Sequence, residues 1–327
     1  MRIRAQIDLN LSPILLLCRK LTLSDNKHDG MINISKLRNY IPILLMSFAI
    51  SVKADTANSA QLPIHLDQNG RPITELAIGK HRVPVLIDTG SNTGLHLTKD
   101  VMAMIPGLKL TGKKIRSLDL AGKERESDEF IVPDFVANGV HFGEVRGEAL
   151  IPWGLALGKE KKKRTKQISV IGLPLFERTP MLYDLAAKRI QFGAIELKQN
   201  GWHELAFERL KEGLVAQFSS ERNQYKLVLD SAANASIMKQ SLVLSNQEPI
   251  QKCDFNLGPD RECRLLDLQH VTSSADEGTT SHLKALLIEL PSQFKADGIT
   301  GSDFFRQNAI FIDLANQRVA LRKTDQH

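Results

Sequence analysis

Two carboxylates stand out in this sequence, because each ends an apolar run and each is followed by a hydroxyl. The first is Asp88, in Val85-Leu86-Ile87-Asp88-Thr89-Gly90-Ser91. The second is Asp230, in Leu227-Val228-Leu229-Asp230-Ser231-Ala232-Ala233. Each apolar run reads as a buried strand. Its end delivers a charge where burial is costly unless hydrogen bonds hold it. Gly90 lets the backbone turn tightly and approach closely, so loop N–H groups and hydroxyls can hold the acid. Two carboxylates held face to face cannot both ionise easily and share one proton. The chemistry open to such a pair is acid–base work on a bound water. The ionised member accepts the water's proton, and the protonated member hydrogen-bonds an oxygen that is gaining charge. Such a scheme uses no metal, no cofactor and no covalent intermediate.

The elements that must position these acids are themselves duplicated. Gly172-Leu173-Pro174-Leu175-Phe176 leads to Leu182-Tyr183-Asp184-Leu185-Ala186 and then to Arg189-Ile190. Gly301-Ser302-Asp303-Phe304-Phe305 leads to Phe311-Ile312-Asp313-Leu314-Ala315 and then to Arg318-Val319. Both segments place an Asp 12 residues after the Gly, and six of 21 positions aligned from Val170 and Ile299 are identical. Repetition of this kind is a fold-level signal.

The Asp88 loop resembles the active-site loop of the aspartic proteases, the pepsin and retropepsin group. In that family a hydrophobic-hydrophobic-Gly segment packs across the Asp loop. Val170-Ile171-Gly172 fits that segment well, and Ile299-Thr300-Gly301 fits it less closely. The resemblance covers nearly all of residues 64–323. It implies an all-β, bilobed aspartic protease (acid protease) fold with an internal pseudo-twofold duplication. It assigns Asp88 and Asp230 as the catalytic pair. Thr89 and Ser231 match the hydroxyls that cross-brace the two loops, and Gly90 matches the close-approach position. Ser91 matches a position whose hydroxyl hydrogen-bonds the outer oxygen of its Asp. The second copy departs from the pattern. Ala233 stands where that hydroxyl would be, and Ala232, in the place of a Gly, keeps the N–H but adds a methyl group. The hairpin after the first Asp loop corresponds to a flap over the substrate, with its tip near Ala121-Gly122. Pepsin-type flaps carry a Tyr, but no Tyr lies between Asp88 and Gly172. The retropepsin-like flap, which grips through backbone groups, is therefore expected.

Charge sets limits on partners. The net charge is +6, but residues 1–54 hold eight Lys/Arg against three Asp, leaving 35 basic against 34 acidic residues in 55–327. The basic balance belongs to the leader, which argues against a nucleic-acid partner. The leader itself has the order of a secretory signal. Lys36 and Arg38 precede the apolar run Tyr40 to Val52, and Val52-Lys53-Ala54 is a small-residue cleavage motif. Met31 is a natural start for that signal, so residues 1–30 read as an over-extended start or a long n-region. The apolar run is short for a bilayer span. The expectation is an exported protein, periplasmic or secreted, with no stable membrane span in the mature chain. Of three cysteines, Cys253 and Cys263 remain beyond the leader. In an oxidising compartment they are expected to form one disulfide. Their spacing, with no adjacent His, is unlike a zinc cluster.

Along residues 55–327, alternating segments predict strands at 64–66, 73–78, 82–87, 115–120, 214–218 and 225–229, with a short helix at 99–105 stopped by Pro106-Gly107. Lys159 to Arg164 is a charge run that reads as a solvated loop. His96 and His141 fall in strand segments and are expected at the surface or at an edge. No nucleophile-elbow pattern accompanies Ser91 and the His residues. The domain reading is a leader over 1–54, an N-terminal lobe over 55–198 and a C-terminal lobe over 199–327. The expected activity is hydrolysis of peptide or unfolded protein by a monomer that carries both acids. The alternatives are a protease-like module that grips peptide without cutting, motivated by the altered second loop, and a homodimer in which two Asp88 loops meet.

Overall fold

The structure is a computed structural model that describes residues 58–67, 70–118, 124–151, 167–197, 201–221, 223–242, 250–252, 264–273 and 276–324. The leader, Ala121, Gly122, the charge run 159–164, Cys253 and Cys263 lie outside the described residues. The described elements are almost all strands, arranged in three sheets.

The N-terminal eight-stranded sheet runs in the order His65–Leu66, Pro72–Ile78, His81–Asp88, Ser169–Gly172, Leu95–Leu97, Val140–Ala149, Glu124–Ala137, Lys109–Leu118. The C-terminal one runs Phe207–Leu210, Gly213–Ser219, Gln224–Leu229, Gly298–Thr300, Ser236–Lys239, Asp276–Ile288, Arg264–Ser273, Ile250–Lys252. The two orders match strand for strand, so the sequence repeat is also a structural repeat. The third sheet has six strands: Ser59–Pro63, Arg189–Gly193, Met181–Asp184, Asn308–Asp313, Arg318–Lys323 and His203–Glu204. It reads the same from either end under the repeat. Its centre is the antiparallel pairing of Leu182 with Phe311, where the two halves of the chain meet.

The strands that carry the acids form where the apolar runs predict them. Along His81–Asp88 the first residues alternate, and from Val85 onward every residue is buried. Alternation suits a strand with one face in water, while a continuous apolar run suits one covered on both faces. Val85 to Asp88 pairs in parallel with Ser169 to Gly172, and Leu227 to Leu229 pairs in parallel with Gly298 to Thr300. One apolar core spans both lobes, from Val85, Ile87 and Phe130 through Tyr183 and Ile312 to Leu227 and Phe304. The predicted helix after the first loop is one turn, Lys99–Met102, shorter than the expected 99–105. No helix among the described residues is long and apolar enough to cross a membrane.

Candidate active site

The strand His81–Asp88 ends on its acid, and Asp230 directly follows Gln224–Leu229. At each strand end the chain must turn away while a second segment passes against the loop. That segment is the hydrophobic-hydrophobic-Gly stretch of each repeat. The Gly172 N–H donates to the Gly94 carbonyl at 2.9 Å, and the Leu173 N–H to the Ser91 carbonyl at 3.1 Å. The Ser302 N–H donates to the Ala233 carbonyl at 2.8 Å in the second copy. The glycines are needed for this approach. A β-carbon on Gly172 would lie 2.0 Å from the Thr93 carbonyl oxygen, and one on Gly301 would lie 2.4 Å from the Ala235 carbonyl carbon.

The two loops meet and are tied to each other by four hydrogen bonds. The Thr89 hydroxyl donates to the Leu229 carbonyl at 2.5 Å and accepts the Ser231 N–H at 3.0 Å. The Ser231 hydroxyl donates to the Ile87 carbonyl at 2.7 Å and accepts the Thr89 N–H at 3.2 Å. Thr89 is 1% exposed and Ser231 is 0% exposed, so water does not compete for these bonds. The arrangement obeys the pseudo-twofold: each hydroxyl reaches the carbonyl that precedes the other loop's acid.

Asp88 and Asp230 lie within hydrogen-bond reach of each other. The Gly90 N–H donates to Asp88 Oδ1 at 3.0 Å. The N–H groups of Ala232 and Ala233 both donate to Asp230 Oδ1, at 2.8 and 3.0 Å. Burial pushes the Asp88 carboxyl well above its ordinary range, and the charge of Asp230 pushes it further. Burial also raises Asp230, but the two N–H groups hold that rise back. Burial raises both carboxyls, so the two acids share one proton as a coupled pair. Ala232 is accommodated in the second loop with its N–H still directed at the acid. At the matching position in the first loop a β-carbon on Gly90 would come 2.9 Å from Asp230 Cγ. Tyr183 is buried close enough for Asp230's charge to act on it. Burial first, and that charge second, keep its phenol neutral.

Ser91 differs from the expectation. Its hydroxyl is 2.6 Å from His96 Nε2, turned toward the sheet, while its backbone N–H supports Asp88. His96 is the reason, and its position is a correction. It is 6% exposed, not an edge residue, because the strand Leu95–Leu97 lies inside the sheet between Ser169–Gly172 and Val140–Ala149. His96 Nδ1 is 2.8 Å from Glu148 Oε1, and the Ser127 hydroxyl donates to Glu148 Oε2. His141 is exposed, as expected for its strand edge.

Sequence reasoning also missed Asn92. Its side-chain amide donates to the carbonyls of Leu210 and Lys211 at 2.7 and 2.9 Å, and its Oδ1 accepts from Arg209 at 3.1 Å. These bonds clamp the C-terminal hairpin 207–219 onto the Asp88 loop, where a β-carbon on Gly213 would meet the Gly90 carbonyl oxygen at 2.5 Å. Asn92 lies in a loop, and only the docking of the other lobe gives it partners. Beside this clamp a cleft of about 850 Å³ opens between the lobes, lined in part by Thr93, Ile115, Arg146, Glu177 and Lys211. The hairpin expected to act as a flap is present as Lys109–Leu118 paired with Glu124–Ala137, the last described pair being Leu118 with Glu124. Among the described residues no group of three or more His, Cys, Asp or Glu side chains is placed to hold a metal ion.

No protein-family model matches the chain, and no curated protein matches it in sequence. Solved structures do match. The basic 7S globulin from soybean superposes with a TM-score of 0.50 at 14% identity, over 82% of this chain and 95% of that one. Conglutin gamma, a basic 7S globulin from lupine seeds, gives 0.49 at 12% identity over the same shares. Likeness at this identity speaks to fold alone. The chain has the all-β, bilobed, internally duplicated fold of the aspartic protease type, which it shares with the soybean globulin.

Proposed function

We propose that the chain is an aspartic endopeptidase in which Asp88 and Asp230 activate one water between them. The observation that carries this reading is the pair itself: two acids within hydrogen-bond reach, on cross-braced loops, each supported by backbone N–H groups of its own loop. The ionised member of the pair accepts the water's proton, and the protonated member hydrogen-bonds the scissile carbonyl oxygen as charge builds on it. Thr89, Gly90 and Ser231 hold the loops, and Ser91 supports Asp88 through its backbone. The paired strands Lys109–Leu118 and Glu124–Ala137 belong to the flap in this reading, which closes on an extended peptide held by main-chain bonds. Both acids come from one chain, which favours a monomer over a dimer of Asp88 loops. The leader pattern supports export, and export supports a Cys253–Cys263 disulfide.

A second reading is a peptide-binding module without turnover. Ala232 and Ala233 in the second loop favour it. One experiment separates the two. The purified chain is incubated with an unfolded protein substrate from acid to neutral pH, beside Asp88→Asn and Asp230→Asn. Cleavage abolished by either substitution supports the peptidase. Loss with Asp88→Asn alone points to a dimer. Peptide binding without cleavage, unchanged by Asp230→Asn, supports the module.

A further inference from the structure

The proposed chemistry uses Asp88 and Asp230, yet a buried polar triad begins three residues after Asp88 and is left without a role. Its members come from three elements. Ser91 belongs to the acid loop, His96 to the strand Leu95–Leu97, and Glu148 to the strand Val140–Ala149. His96 and Glu148 are register partners on adjacent parallel strands. Glu148 in turn pairs with Glu129 on the flap hairpin's returning strand, Glu124–Ala137, two residues from Ser127. Side chains at register positions share a face of the sheet, so the polar groups form a row. Its described links are Ser91 Oγ to His96 Nε2 at 2.6 Å, His96 Nδ1 to Glu148 Oε1 at 2.8 Å, and the Ser127 hydroxyl to Glu148 Oε2. His96, Glu148 and Ser127 are each 6% exposed. A buried polar row costs stability unless fully satisfied, and these side chains have no part in the sheet's backbone bonding.

We propose that Ser91, His96, Glu148 and Ser127 form a relay that ties the Asp88 loop to the flap hairpin, with His96 as a positioning residue whose protonation reorients the Ser91 hydroxyl. This rests on the peptidase reading only for its effect on catalysis; the mechanical link stands without it.

The chemistry of the relay follows from donor counting. Burial opposes a charge on Glu148, but bonds from His96, Ser127 and Thr93 outweigh it and hold the acid below its ordinary range. An ionised Glu148 accepts only, so the facing His96 Nδ1 carries hydrogen. In neutral imidazole Nε2 then has a lone pair and accepts the Ser91 O–H. The Ser91 oxygen accepts the Thr93 N–H at 3.2 Å. When a proton from solvent binds Nε2, that nitrogen becomes a donor to Ser91 Oγ. The Ser91 hydrogen must turn away, and the Thr93 carbonyl oxygen stands 3.3 Å from Oγ to receive it. Protonation thus changes the bonding within Ser91–Thr93, immediately after the Gly90 N–H that holds Asp88. The groups that face His96 are Glu148 from one neighbouring strand, Val170 from the other, and Ser91 from the loop. Beyond Glu148 lies Glu129, bonded to the Thr111 hydroxyl at 2.7 Å and 3.6 Å from Arg146.

The test is amide hydrogen exchange of the full chain from about pH 5 to about pH 8, corrected for intrinsic rates and read by mass spectrometry over residues 90–94 and 124–130. The expected parent behaviour is one pH step in protection shared by both segments. His96→Gln removes that step. Ser127→Ala, a mild change in the hairpin strand, lowers protection of 90–94 by about ten-fold, the effect of losing one hydrogen bond to a charge. Flat or unrelated profiles in the parent overturn the relay, as does a step that survives His96→Gln or a Ser127→Ala that leaves 90–94 unchanged. Peptide cleavage is followed on the same samples. A matching step in kcat supports relay and peptidase together. A shared exchange step with no cleavage removes the peptidase and leaves the relay, while cleavage without the step removes the relay and leaves the peptidase.

Discussion

Replacing the Ser231 hydroxyl tests whether the two loops are held by the brace or merely lie beside each other. In Ser231→Ala the Ile87 carbonyl loses its donor at 2.7 Å, and the Thr89 N–H loses its acceptor at 3.2 Å. Ser231 is fully buried, so water does not replace either bond. An abandoned buried group costs about 1–3 kcal/mol, and two of them, with partial relaxation, give an expected loss of about 3 kcal/mol. The pseudo-twofold supplies an internal control. Thr89→Val keeps the shape of the side chain but strips the Leu229 carbonyl and the Ser231 N–H of partners, so it should cost about the same by the same principle. Ser231→Thr restores a hydroxyl of the kind the first loop uses and should stay near the parent. The assay is urea unfolding with the midpoint compared at constant m, paired with kcat on a peptide. Activity should fall with stability in the two brace-breaking variants, because loops free to shift by an ångström misplace both acids. A loss under about 0.5 kcal/mol in both, the size of an ordinary surface substitution, would refute the brace as the element that holds the site.

Two further outcomes follow from the same geometry. Gly90→Ala would put a methyl carbon 2.9 Å from Asp230 Cγ and 3.1 Å from its Oδ2, so kcat/KM should drop by about a hundred-fold; Ala232→Gly, which removes a methyl group from the other loop, should keep activity, and equal effects of the two would contradict the asymmetry. Asp88→Asn should be more stable than the parent at neutral pH. Burial, and then the charge of Asp230, raise the folded-state pKa of Asp88 above its ordinary value of 3.8. Between those two points the folded chain holds more protons than the unfolded one, so parent stability falls as pH rises through the window. The asparagine does not titrate, so the stability gap should widen from acid to neutral pH in thermal melts, and a gap constant with pH would defeat the argument.

The sequence by itself determined that two acids stand at the ends of two equivalent strands. An apolar run ending in Asp and a hydroxyl, repeated with a Gly-to-Asp spacing of 12 residues, requires two equivalent strand ends, and local pattern carries that much. Gly172 and Gly301 are expected from the family resemblance, and the structure gives the reason, since a β-carbon on either would strike the loop it crosses. The reach of Thr89 to Leu229 and of Ser231 to Ile87 needed both halves in place, because those partners are about 140 residues apart in the chain. His96 departs from its expected edge position because a three-residue strand, Leu95–Leu97, carries too little pattern to tell an edge from an interior. Its neighbours are Val170 and Glu148, and sheet order alone supplies them. Once His96 is inside, a buried imidazole must find partners. It takes the Ser91 hydroxyl from the bond the loop pattern implied and links it to Glu148. Asn92 follows the same logic from the other side, as an ordinary loop residue until the C-terminal hairpin brings two carbonyls to it. Local sequence placed the acids at their strand ends; long-range packing decided what surrounds them, because burial turns each polar neighbour into an obligatory partner.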